Sequence, residues 1–521
     1  MREWAIKLWN QRVRVAGLAA VVGFAVLAGR FWHPHYGFTV FLQLDSADAA
    51  IAIPELKARP VYVFPGHNGY DGFIYAEIAF HPLLDSPALQ TALGNVPYRA
   101  RRILGSWAAW LLAGGAPERI AHTYAALNLG VWLVLAWLAW RLIGVADWRG
   151  WVAWAGLMFS AGALHAVRLA LTDLPGVTLL AAAMWFVETG RRGAGLGAVA
   201  AAGLARETML PGVIALWRGP WNTPRAWAAN AARTLAVGVP LLLWMGYVRW
   251  KAGPADAGFG NFSWPLVAWA EKWLATVAEF SRAPQFGWLI TTTLLATVGL
   301  TAQAVYFVRH RDPADAWWRL GAVFVALAAF LGTAVWEGHP GAATRVLLPL
   351  GLAFAVRAAR QRAGWGWLVA GNLTVLAGVL ALWSPPQSPG EFAKGSSAGG
   401  SYVARLGEGW FGPEQSKRDT WAWTGRGGRI ELDVWRAGAK PVQVTLGLRA
   451  ITPRVVEVKR DGVVLWRGDV GVTTQTVTLA CGPANGRSVV LELASEQAPV
   501  PEAATPGARS LGFAVYNLRV E

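Results

Sequence analysis

About nine apolar runs, most of them near the twenty residues that a helix needs to cross a bilayer, follow one another between residues 15 and 383. They lie at 15–32, 120–142, 150–170, 174–189, 231–250, 286–308, 317–335, 342–358 and 364–383. A chain patterned in this way is a polytopic α-helical membrane protein. The composition agrees: 55% of its 521 residues are hydrophobic and only 15% are charged, against roughly a quarter charged in soluble domains. The formal charge of +16 is scattered between the apolar runs. That placement reads as membrane topology and headgroup contact and argues against nucleic-acid binding, which gathers basic residues on one polar domain. The single cysteine, Cys481, excludes an intrachain disulfide and a cysteine metal cluster.

Basic loops orient the runs. Arg2, Lys7, Arg12 and Arg14 precede the first one, which reads as an uncleaved span with a cytoplasmic N-terminus. The stretch 194–217 is apolar but interrupted by Arg206, Glu207 and Pro211, and a re-entrant pair of half-helices fits it best. Counted so, every short inner loop carries arginine: 141 and 149, 191 and 192, 218 and 225, 309 and 311, 357 and 360. The outer side receives the first loop 33–102, the segment 251–285, the turn 336–345 and everything after about 384. The run 103–115 is too short to span and is expected as a helix on the outer surface.

The pattern changes at 384–401, a Pro/Gly/Ser-rich linker. Residues 402–521 alternate apolar and polar side chains in short runs, with Asp461-Gly462 as a hairpin turn, and predict an all-β, sandwich-like extracytoplasmic domain after the transmembrane domain 1–383. Its Trp410, Trp421, Trp423 and Trp466 suit either a core or a sugar-stacking surface.

Chemistry gathers in the first loop. Asp45, Asp48, Asp71, Glu77, His81 and Asp85 are followed by Tyr98, Arg99, Arg101 and Arg102, with Tyr70 and Tyr75 interspersed. A carboxylate can take a proton from an attacking hydroxyl, and the guanidinium fork can hold phosphate oxygens in pairs. Asp71, between two turn-forming glycine steps, reads equally as a turn residue, and the arginines as headgroup contacts. Arg206 beside Glu207, and Arg345 below the turn holding Glu337 and His339, are ionisable groups in apolar surroundings, where a partner or a cavity is required. Asp173 in "LTDLPG" reads as a helix cap. Asp45, Asp71, Glu77 and His81 offer ligands to a divalent cation such as Mg or Mn, but their spacing fixes no metal site.

The order of "GYDGFIYAEIAFHPLLD", "PYRARRILGSWAAWLLAGG", "LNLGVWLVLAWLAW", "ALTDLPGVTLLAA" and "GLARETMLP" resembles bacterial membrane proteins of the GT-C glycosyltransferase superfamily. The resemblance covers roughly residues 1–383 and is most specific around Asp71, Tyr98–Leu104 and Ala205–Thr208. It implies an inner-membrane enzyme that moves a sugar from a polyprenyl-phosphate donor to a cell-envelope glycan, lipid or protein acceptor. Asp71 is then the base, Asp45 its understudy, and Arg99, Arg102, Arg206 and Arg345 the groups that receive the phosphate. Tyr70, Tyr75, Glu77, His81, Tyr98, Glu207, Glu337 and His339 would support them. One departure stands out: Phe73 occupies a place where relatives commonly carry glutamine. A transporter or flippase for lipid-linked sugars, or a scaffold, is the competing reading. Transport would call for inverted repeats and paired broken helices, of which the sequence shows a single broken segment.

Overall fold

Helices take up every apolar run, but few of them as a single unbroken rod. In the computed structural model, which describes residues 2–33, 36–64, 69–219, 223–254, 259–282, 287–386, 391–393, 402–416, 419–434, 443–482, 488–503 and 507–520, five segments are long and apolar enough to cross a membrane: Gln11–Gly29, Pro117–Ile143, Trp148–Arg168, Pro224–Ala252 and Trp288–Arg309. The other expected spans are shorter or broken. Asp173–Glu188 and Ala316–Phe330 are single helices, whereas 342–358 divides into Ala343–Val346 and Leu348–Arg360, and 364–383 into Trp365–Gly371 and Val375–Ala381. Segment 194–217 forms the helix Arg192–Ala205 and then, past Arg206, the 3-10 helix Glu207–Leu216, whose Pro211 cannot donate to a regular helical ladder. Leu104–Leu112 is the expected short helix.

The chain divides into two compact units, Met1–Phe31 with Phe38–Pro385, and Trp32–Gly37 with Pro386–Glu521. In the first, the outward faces of the long helices are apolar: on Pro224–Ala252, Leu235, Leu242 and Leu243 are 70%, 64% and 70% exposed, as lipid contact requires. Tryptophan serves the interior as well. The buried Trp132 and Trp154 donate their indole N–H groups to the carbonyls of Met158 and Ala136, which ties Pro117–Ile143 to Trp148–Met158.

Side chains compensate the breaks. Between Ala161–Arg168 and Asp173–Glu188 the backbone turns through Ala170 at φ 46°. The freed carbonyls there are taken by Asn128, which donates to Ala166 and Leu171 at 2.8 Å each, and by the Tyr124 hydroxyl, which donates to Ala170 at 3.1 Å. Away from water such partners are obligatory.

The second unit is all β. One antiparallel sheet runs in the order Glu391–Ala393, Tyr402–Leu406, Gly427–Val434, Ser488–Ala494, Arg454–Arg460, Val463–Val470; the other runs Glu414–Gln415, Thr420–Thr424, Phe513–Val520, Gln443–Ala450, Gln475–Ala480. Their shared core includes Ile430, Leu432, Leu446, Val456, Leu491 and Phe513, all essentially inaccessible. Asp461 and Gly462 both have positive φ and join two strands paired from Arg460 and Val463 outward, the two-residue hairpin that the sequence predicts. The tryptophans mostly pack: Trp423 is buried, Trp410 and Trp466 lie against the core, and Trp421 stacks on Tyr516. In the segment expected as linker, residues 391–393 form a strand and most of the remainder lies outside the described residues.

Asn128→Ala removes the donor shared by two carbonyls at the turn before Asp173. With a cost of about 1–3 kcal/mol for a buried acceptor left without its partner, the thermal transition of the detergent-solubilised protein is expected to fall; an unchanged transition would show that other groups hold the turn.

Candidate active site

The site begins with a glycine that admits no side chain. A Cβ on Gly72 would lie 2.5 Å from the Leu169 carbonyl oxygen, 2.9 Å from that of Leu42 and 3.0 Å from that of Phe41, so the first loop and the turn before Asp173 meet backbone to backbone. This contact places Asp71 at the start of helix Gly72–Phe80. Asp71 has helical dihedrals and its carboxylate caps nothing. The side chain is 49% exposed, with Oδ1 3.4 Å from Nη1 of Arg99. The reading of Asp71 as a turn residue therefore accounts for its backbone and leaves its carboxylate available. Asn68, in the preceding Asn-Gly step, and His67 lie outside the described residues.

The carboxylate borders a cavity of about 270 Å³. Four arginines, Arg101, Arg102, Arg206 and Arg345, line the cavity together with Tyr70, Tyr75, Tyr98, Glu207, Thr208 and Asn261. Two carboxylates fix these arginines in pairs. Glu207 receives Arg102 in a fork, Nε to Oε2 at 3.0 Å and Nη2 to Oε1 at 2.8 Å, and Arg101 reaches Oε1 at 3.1 Å. Asp173, wholly buried, lies 2.7 Å from Nη1 of Arg206 and 3.5 Å from Nη1 of Arg345. Phenols extend both groups: Arg102 donates to the Tyr75 hydroxyl at 3.0 Å, and Arg345 to that of Tyr70 at 2.6 Å. Arg101 also lies over the Tyr98 ring, 4.2 Å from its centroid. Burial raises the Tyr75 phenol above its ordinary pKa, while the Arg102 charge pulls the other way.

With each carboxylate shared by two arginines, positive charge is left over on the cavity wall. Guanidinium groups arranged in this way can receive an anion.

Of the residues singled out in the sequence, Asp71, Arg102, Arg206, Arg345, Tyr70, Tyr75, Tyr98 and Glu207 meet at this cavity, and Arg99 touches Asp71. Five others have different neighbours. Asp45 is the N-cap of helix Ser46–Ile51, accepting the N–H of Asp48, and its other oxygen accepts the N–H of Gly69. Glu77 is fully buried and accepts the N–H of Ile53. His81 is bracketed by Glu55 and Asp85 at 3.2 and 3.3 Å. Glu337 is exposed at the end of helix Thr333–Trp336, and His339 pairs with Thr293 and Glu279. Phe73 is buried and does not line the cavity. Among the described residues no group of three His, Cys, Asp or Glu side chains is suited to hold a metal ion.

The sequence places Arg101 in the basic cluster without marking it for the phosphate set, and it does not reveal Asn261 or the part played by Asp173. Asp173 is the first residue of its helix; the cap position belongs to Thr172. The available signal was electrostatic: an acid between apolar runs needs a cation, and Arg206 and Arg345 stand in apolar runs of their own. Asn261 donates to the Tyr98 hydroxyl at 3.2 Å, a contact across a separation that no local pattern reveals.

The sequence matches no family model and no curated protein. Two solved structures are similar at low scores. A chain described as "CBM4 structure and function" aligns at 12% identity over 23% of this chain and 78% of its own length, with a TM-score of 0.15. The arabinosyltransferase EmbB from Mycobacterium smegmatis aligns at 11% identity over 86% of this chain, with a TM-score of 0.20, and the alignment spans 64% of the EmbB chain. At these TM-scores neither likeness bears on function.

Glu77 supplies a pH test of the scaffold. Burial raises its carboxyl from 4.5 to about 7, against the opposing hydrogen bond from Ile53. The folded state therefore retains a proton that the unfolded chain releases, and stability falls as pH rises through this window, by on the order of 3 kcal/mol. The thermal transition of the wild type is expected to drop between pH 5 and 8, and that of Glu77→Gln to stay flatter; equal slopes would remove Glu77 as the source.

Proposed function

We propose that this protein is an integral membrane glycosyltransferase that moves a sugar from a polyprenyl-phosphate donor to a cell-envelope acceptor on the outer face of the bacterial inner membrane. The observation that carries this reading is the placement of an uncapped, half-exposed carboxylate beside a cavity walled by four arginines that only two carboxylates hold. The sequence resemblance to the GT-C superfamily supports it independently.

The chemistry asks little more of the protein. An acceptor hydroxyl attacks the anomeric carbon, its oxygen–carbon bond forms as the carbon–oxygen bond to phosphate breaks, and the electron pair leaves with the phosphate. Asp71 takes the hydroxyl proton. The departing phosphate is a weak base, so neutralising its charge replaces the protonation that a glycosidase supplies with a second carboxyl group. Arg102 and Arg345 are held by both a carboxylate and a phenol, which limits their rotamers and keeps their forks oriented before the anion forms. Arg206 completes this set, and Arg99, at 3.4 Å, orients the Asp71 carboxylate.

Purified protein in lipid vesicles, given polyprenyl-phosphate sugars together with a cell-envelope fraction that supplies acceptor hydroxyls, is expected to release polyprenyl phosphate. Asp71→Asn should lower kcat by about 100-fold or more, the ordinary worth of a general base, with little change in KM. Equal rates in the two proteins would remove Asp71 as the base, and no release from a broad donor panel would overturn the enzyme reading.

Arg345→Gln tests the phosphate site. It is expected to weaken donor binding and slow departure together, raising KM and lowering kcat; a variant with wild-type values would take Arg345 out of the phosphate site.

A further inference from the structure

Helix Val267–Arg282 turns two different faces outward and inward. Ala268, Trp269, Lys272 and Thr276 are buried, and Trp269 stacks on Trp336 with ring centroids 5.2 Å apart. The opposite face is apolar and open: Val267, Leu274 and Val277 are 47%, 72% and 48% exposed, and Trp264, just before the helix, is 82% exposed. Positions 267, 270, 274, 277, 278 and 281 fall on one side of a helix of 3.6 residues per turn and read Val, Ala, Leu, Val, Ala, Ser. Sixteen residues rise about 24 Å, short of the ~30 Å hydrocarbon core, so the helix does not span.

Its neighbours in the chain restrict where that face can lie. The spanning candidate Pro224–Ala252 precedes it, and the spanning candidate Trp288–Arg309 begins a few residues after Arg282. A helix tethered to spans at both ends stays at the membrane boundary. There an apolar stripe with a flanking tryptophan and charged edges, Glu271 and Arg282, fits the zone between headgroups and acyl chains.

The same segment forms part of the candidate active site. Asn261 and Phe262, immediately upstream, line the cavity. They are held to the strip after Ala316–Phe330 by a bridge between Phe262 and Leu331 and by the Gly332 N–H donating to Asn261 at 2.7 Å. Helix Thr333–Trp336, which contributes Ala334 and Val335 to the cavity wall, is fastened to the amphipathic helix by the Trp269–Trp336 stack and by Thr333 Oγ1 donating to Glu271 at 2.9 Å.

We propose that residues 264–282 lie along the membrane interface with the Val267–Leu274–Val277 stripe immersed in acyl chains, so that the cavity wall made by Asn261, Phe262, Ala334 and Val335 is anchored to the bilayer surface. The occupant of this face is lipid, and, resting on the glycosyltransferase reading, this wall of the cavity is held at the depth where a lipid-borne substrate presents its polar end.

The test places an environment-sensitive fluorophore, NBD, on single cysteines introduced as Leu274→Cys, Val267→Cys and, as a control on the β unit, Thr473→Cys, each in a Cys481→Ser background of the full-length protein. The labelled proteins are reconstituted into phosphatidylcholine vesicles with and without bromine on the acyl chains. The stripe positions are expected to emit at shorter wavelength than the control and to lose most of their fluorescence in brominated vesicles, with Thr473→Cys unaffected. Stripe positions that emit like the control and are not quenched would overturn the proposal, as would blue-shifted emission without quenching, which would show a protein surface or a second copy of the chain covering the face. Val267→Cys keeps the test decisive if Leu274→Cys does not fold.

Discussion

A buried carboxylate organises the helical unit. Asp173 has no accessible surface and lies among apolar helices, where an isolated charge is prohibitively unfavourable. It must be paired, and its partners come from far along the chain: Arg206 from the break between Arg192–Ala205 and Glu207–Leu216, and Arg345 from the short helix Ala343–Val346. Three segments are thereby pinned to one point. Arg345 brings in a fourth by donating to Tyr70, the residue before Asp71. The position of the candidate base thus depends on an ion pair that does not contain it.

The stoichiometry of pairing matters as much as its strength. If every arginine had its own carboxylate, the cavity would be neutral and an incoming anion would have to break a pair. Here Arg101 and Arg102 share Glu207, while Arg206 and Arg345 share Asp173. The arginines are held in place, and the excess charge remains on the wall. A fixed cationic wall in a medium of low dielectric stabilises a departing anion without the reorganisation that water would require. The single acid that stands apart from both clusters, Asp71, is also the most exposed of the three, as a proton acceptor in contact with a hydroxyl needs to be.

Much of this was legible in the sequence because it depends on local chemistry. Runs of twenty apolar residues give helices, Asp461-Gly462 gives a hairpin, and Arg206-Glu207 in an apolar stretch announces a cavity or a pair. Legibility ended where one local pattern serves two purposes. Asp45 and Asp71 both precede a short helix in the same acidic loop; Asp45 caps its helix and Asp71 does not, and the difference lies in where the backbone N–H groups of Asp48 and Gly69 point. Asp173 was hidden by the proline two residues later, which makes a cap the natural reading. Glu337 and His339 are near Arg345 in sequence, yet the turn between them and the following helix directs them elsewhere, His339 to Thr293 and Glu279.

The charged groups share a further property: each lies at a discontinuity in the helices. Asp71 begins a helix, Arg101 and Arg102 precede Leu104–Leu112, Asp173 is the first residue after a turn with positive φ, Arg206 separates two helices, and Arg345 lies in a four-residue helix. An unbroken helix in lipid projects its side chains radially and satisfies its own backbone, so it offers few ways to converge several long side chains on one point. Breaks redirect the chain, but they free carbonyl and N–H groups that only protein can satisfy at that depth. Asn128, Tyr124 and the backbone contact permitted by Gly72 provide that satisfaction around the turn before Asp173. The apolar pattern that makes this a membrane protein and the polar residues that interrupt it are therefore parts of one design: the interruptions are tolerated because neutral side chains absorb the backbone, which leaves the arginines and carboxylates for the cavity.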